Sequence, residues 1–104
     1  MVPAVPLGAE KLLVPSKRWV SRTIALDLAE EAGIQLDADR AVHLYILDEE
    51  NWARLRAGQP FRGITHRLIR SHACTFKASS AGTSYIVVYN PNDAPVQVTL
   101  LVSI

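Results

Sequence analysis

The last quarter of the chain, GTSYIVVYNPNDAPVQVTLLVSI from Gly82 to Ile104, carries the clearest apolar and polar patterning. Two runs rich in β-branched and aromatic residues, 85–89 and 96–102, flank Asn90-Pro91-Asn92-Asp93-Ala94-Pro95. That pattern predicts a β-hairpin whose loop is longer than two residues, because proline fixes φ while Asn and Asp bond their own backbone. Further upstream, residues 18–28 alternate with Val20, Ile24, Leu26 and Leu28 on one face and Ser21, Thr23 and Asp27 on the other, the period of a half-buried strand. Arg22 interrupts the apolar face and Trp19 falls on the polar one. Short strands are also predicted at 11–14, 34–36, 41–47, 64–70 and 72–78, separated by turns at 27–33, Asp37-Ala38-Asp39-Arg40 and Ser79-Ser80-Ala81-Gly82. In 41–47 both faces carry apolar side chains, as a central strand requires.

One helix is predicted, at 49–57. Asp48 stands at the N-cap, Glu49 and Glu50 sit on the positive end of the helix dipole, Arg54 and Arg56 on the negative end, and Gly58 suits a left-handed C′ position. Trp52 and Leu55 form the narrow stripe that would dock this helix, since so short a helix is not stable alone. About eight strands closely spaced by turns describe an all-β antiparallel sandwich, jelly-roll-like, with one short helix. Residues 10–104 form its single domain. Residues 1–9, with Pro3 and Pro6, read as an extended arm.

The order of features in the second half resembles the GOLD-like and p24-like β-sandwich modules and related bacterial sandwich domains associated with carbohydrates and proteases. It is carried by Val42-His43-Leu44-Tyr45-Ile46-Leu47-Asp48, Glu50-Asn51-Trp52, Thr75-Phe76-Lys77-Ala78 and the stretch from Ala81 to Asn90, with a looser match over 19–28. The resemblance implies a noncatalytic interaction fold. The p24 family adds a luminal signal, a coiled coil and a membrane anchor; none is read in this sequence, so a cargo-receptor role is not implied.

Composition narrows the remaining choices. Eleven Lys and Arg against ten Asp and Glu leave a formal charge of +1, which offers nothing for indiscriminate capture of nucleic acid. No apolar run approaches the length of a membrane span, and no secretory signal is expected, which makes the cytoplasm the default compartment. The single Cys74 excludes an intramolecular disulfide.

Four groups invite chemistry. His43, His66 and His72 lie on separate predicted strands with no metal-binding spacing, so they are read as surface or hairpin histidines and no metal or cofactor is expected. Cys74 shares an apolar face with Phe76 and reads as a small hydrophobe, without the motifs of a nucleophile. Glu30, Glu31, Asp37 and Asp39 are read as solvated turn acids before calcium ligands. Arg62, His66, Arg67 and Arg70 form a scattered ribbon, suited to a charged edge strand that resists aggregation. The expectation is a nonenzymatic module that binds a protein or another ligand, or else a jelly-roll subunit whose arm builds a homo-oligomer.

Overall fold

The computed structural model describes residues 9–78 and 81–103. These residues form six strands: β1 (Ala9–Val14), β2 (Trp19–Leu26), β3 (Glu31–Leu47), β4 (Ile64–Lys77), β5 (Gly82–Tyr89) and β6 (Val96–Ser103). Helix α1 (Glu49–Arg56) lies between β3 and β4. All pairings are antiparallel, in the order β1-β6-β3-β5-β2, with β4 added to β3. The fold is all-β with one short helix, as expected, but its six strands replace the eight predicted. The segments 34–36 and 41–47 are one strand of 17 residues, and 64–70 and 72–78 are one strand of 14.

Local turn chemistry loses to cross-strand pairing at Asp37-Ala38-Asp39-Arg40. Asp37 and Ala38 pair with Thr99 and Val98 of β6. The Asp37 carboxylate accepts from the Ser71 hydroxyl at 2.9 Å, and the Asp39 carboxylate accepts from the Gln97 N–H at 3.1 Å. Backbone groups that a turn would leave to solvent are thereby paired within the sheet.

The two long strands bend together instead. Asp37 pairs with Ser71 and Val42 with Ile69, so residues 38–41 of β3 oppose Arg70 alone. Leu44 then pairs with His66, which leaves Arg67 and Leu68 opposite His43. Leu68 takes a positive φ of 53°. These are β-bulges, which bend a strand and sharpen its twist. Before the bend β3 lies between β4 and β6; after it, between β4 and β5.

The predicted hairpin of the last quarter is corrected by this arrangement. β5 and β6 do not pair with each other, because β3 runs between them. The loop at 90–95 arches from one half of the curled sheet to the other. Both halves contribute to one core, with Leu12, Leu36, Leu44, Ile86, Val98 and Leu100 all buried in it. Each such side chain contributes about 1.5–3 kcal/mol on burial. Where the edges β1 and β2 come together, Glu10 takes three hydrogen bonds from the Arg22 guanidinium at 2.7–3.1 Å, which explains the charge on an apolar face. That bonding holds the Glu10 carboxyl below its ordinary pKa and the Arg22 guanidinium above its own.

Asn90 ties the arch down. Its side chain is fully buried, and its amide nitrogen donates to Val14 O at 3.0 Å and Ala94 O at 2.8 Å. Its amide oxygen accepts from both the N–H and the side chain of Asn92, at 2.8 Å each. The Asn92 side chain also donates to Ala41 O, inside the bend of β3, at 2.8 Å. Asn90→Ala is expected to cost about 3 kcal/mol or more, because buried carbonyls lose their donors, whereas Gln97→Ala stays within about 0.5 kcal/mol. Denaturant midpoints check this, and equal midpoints for the two variants contradict it.

Candidate functional site

Two features lie near the bend, one on each face of the sheet. On the outer face, α1 forms as its ends predict. Asp48 has extended backbone and accepts from Asn51 N at 2.8 Å, the dipole charges fall on the expected turns, and Gly58 has φ 72°. Trp52 is 8% exposed and packs with Leu47 and Val87 in a small second core. It stacks on Tyr85 with ring centroids 5.4 Å apart, and the Arg56 guanidinium lies 5.2 Å above its ring.

Beside the helix, aromatic rings continue across the strands. Trp19 of β2, Tyr89 of β5 and His43 of β3 are register partners and therefore share one face. Tyr89 stacks on His43 at 6.0 Å and meets Trp19 at 6.5 Å, Trp19 meets Trp52 edge-on at 6.1 Å, and Phe61 meets Tyr45 edge-on at 5.4 Å. Trp19 is 41% exposed; His43, Tyr45, Phe61 and Tyr89 are half-buried. Alternation placed Trp19 on a polar face, and that misfit was the available signal for this tier. Its extent was hidden because the partners come from distant strands.

On the inner face, β4 is an edge strand, paired with β3 alone. His66, His72 and Cys74 are register partners of Leu44, Leu36 and Ile34 and point with those buried residues toward the core rim. The bend brings the His66 and His72 rings to a centroid distance of 4.1 Å, with one potential ligand atom from each histidine and Cys74 Sγ within 4.8 Å of one another. The expectation of dispersed histidines is corrected for this pair. Six residues of straight strand span about 20 Å, and the bulges remove that separation. His43 stands apart on the outer face, where its Nδ1 accepts from Leu68 N at 3.1 Å. Burial and the neighbouring His72 lower the His66 pKa, and burial raises that of the Cys74 thiol. His72 Nε2 is buried without a hydrogen-bond partner.

The other candidates do not converge. Glu30 accepts from Asp27 N at 2.9 Å, Glu31 pairs with Lys77 at 3.8 Å, and Asp37 and Asp39 make the sheet contacts already described. Arg62, Arg67 and Arg70 are exposed along or just before the edge strand. A depression of about 450 Å³ between β3, β4 and β6, lined by Gly33, Gln35, Thr75 and Ser103 among others, includes no carboxylate or histidine. Among the described residues, no helix is long and apolar enough to cross a membrane.

The comparisons place the chain among β-rich folds. Solved structures that resemble it include a de novo designed double-stranded beta-helix and PliG of Aeromonas hydrophila, a periplasmic lysozyme inhibitor of g-type lysozyme. The designed protein is 12% identical with a TM-score of 0.58, covering 91% of this chain and 97% of its own. PliG is 11% identical with a TM-score of 0.64, covering 99% of this chain and 93% of its own. At such identities the likeness is one of fold. No family model matches the chain, and no curated protein matches it.

Two outcomes are expected at the outer face. Trp52→Ala costs about 3–5 kcal/mol by emptying a large aromatic site, while Glu50→Ala, which loses an exposed pair with Arg54, changes stability by less than about 1 kcal/mol. Coincident denaturant midpoints contradict this. Burial, and secondarily Arg67, hold the His43 pKa below its ordinary 6.5. As pH falls the unfolded chain takes up this proton first, so the stability His43 contributes is full above 6.5 and is lost below it. In an NMR titration the His43 ring and the Leu68 amide should shift together with a midpoint under 6.5; a midpoint above it refutes the assignment.

Proposed function

We propose that this chain is a noncatalytic binding module that engages a protein partner through the aromatic tier beside α1. The observation that carries the reading is the row Trp19, Tyr89 and His43, set on a sheet and left partly open to solvent. Tyr and Trp are enriched where proteins meet, because they supply large rigid contact area at low entropic cost. Arg56, over the Trp52 ring, and Arg67, beside His43, border the tier and are exposed, which favours a partner with acidic groups around an apolar centre. The fold likeness to a lysozyme inhibitor supports the use of such a scaffold for protein binding. The finer architecture belongs to the same reading: a jelly-roll-like sandwich, supported by a single core shared by both halves of the sheet and by the likeness to a designed double-stranded beta-helix.

Self-assembly is the second reading, supported by the edge strand β1, where Leu13 is 66% exposed. The arm at 1–9 that would mediate it lies, apart from Ala9, outside the described residues.

Trp19→Ser combined with Tyr89→Ser is expected to abolish retention of a partner that the wild type captures, with circular dichroism unchanged. A partner held equally by both proteins sinks the aromatic face. Sedimentation of the wild type alone at micromolar concentrations separates the readings: a homo-oligomer that persists without partner supports self-assembly.

A further inference from the structure

The inner rim of β4 carries an arrangement that protein binding on the outer face does not use. His66, His72 and Cys74 present two imidazoles and a thiol whose ligand atoms lie within 4.8 Å of one another. Around a tetrahedral zinc ion, with bonds of about 2.0–2.3 Å, ligand atoms stand roughly 3.3–3.8 Å apart, so closure needs side-chain shifts of about an ångström. All three are half-buried on the edge strand β4.

An independent observation marks the site. His72 Nε2 is buried and has no hydrogen-bond partner. A buried polar atom left unpaired costs about 1–3 kcal/mol, and native proteins carry few of them. A second imidazole 4.1 Å away leaves this nitrogen without a hydrogen bond. The orphaned nitrogen belongs to one of the three residues whose ligand atoms cluster here.

We propose that His66, His72 and Cys74 bind one borderline transition-metal ion of the Zn²⁺ class, with the fourth position left to water or to an outside ligand. Two imidazoles and a thiolate select zinc or copper over the hard ions magnesium and calcium, which take oxygen ligands. On binding, Cys74 releases its S–H proton to solvent and the imidazoles displace waters from the hydrated ion, so charge and protons balance. The bulge at Leu68 gives the site its place: it folds β4 on itself and turns a spacing of six residues into one coordination sphere. Of the three donors, His72 carries the nitrogen left without any other partner, and Cys74 sets the preference for a thiophilic ion.

The test uses the full chain, reduced and freed of metal, with Zn²⁺ and with Co²⁺ as the spectroscopic probe. The expected result is one equivalent bound, a melting temperature raised by Zn²⁺, and a thiolate-to-cobalt charge-transfer band with d–d bands of tetrahedral intensity. Cys74→Ser should remove the charge-transfer band and weaken binding by more than about 100-fold, beyond the loss of an outer-shell partner. His72→Leu should abolish binding while leaving the metal-free protein at least as stable as the wild type, because it removes an unpaired polar atom. That behaviour distinguishes a lost ligand from a broken fold. Three results overturn the proposal: no uptake of either ion, uptake without a thiolate band, or uptake that survives His72→Leu.

Discussion

Asn92 donates two hydrogen bonds to the Asn90 amide oxygen, and the pair holds three parts of the chain at one point. The buried Asn90 amide reaches the end of β1 and the last loop, and it orients Asn92, whose side chain reaches Ala41 at the bend of β3. Both hydrogens and both acceptor positions of the Asn90 amide are used, so the group is buried without an unpaired polar atom. A buried amide in this state specifies geometry closely, since any shift of the arch would strand a donor or an acceptor where water cannot replace the partner. The loop crosses from β5 to β6 here, and the bend in β3 lies beneath it. The crossing and the bend therefore depend on the same amide pair.

From the bend follow the two features with chemical content. On the inner face, curling of β4 converts three residues of one edge strand into a cluster, with its buried imidazole nitrogen unpaired. On the outer face, the bulged residue Leu68 donates its N–H to His43, which stacks on Tyr89 and so joins the aromatic tier. His43 links the backbone of the bulge to the surface proposed for binding. The helix completes that surface by burying Trp52 on Val87 and Leu47, leaving Trp19 at its border.

What could be read in the sequence was local. The helix was legible to within a residue because Asp48, the paired glutamates, the two arginines and Gly58 each act within one turn of where they stand. Alternation identified the strand segments and most of the core. Pairing was not legible: the arch between β5 and β6 carries the same Asn and Pro residues as a hairpin loop, and only the insertion of β3 between them decides the matter. The acids at 37 and 39 read as a turn because their stabilising partners, Ser71 and Gln97, are 34 and 58 residues away. His66 and His72 looked far apart for the same reason, since the bulge that joins them needs β3 as its template.

The bend is the central claim, and it can be measured without metal or partner. Nuclear Overhauser spectroscopy of the metal-free protein should show cross-peaks between the imidazole protons of His66 and His72, whose ring centroids lie 4.1 Å apart. A β4 that runs straight past residues 67–71 would hold the two rings about 20 Å apart. Cross-peaks of that kind are the result the bent pair predicts; their absence, with both rings assigned and sharp, would contradict it.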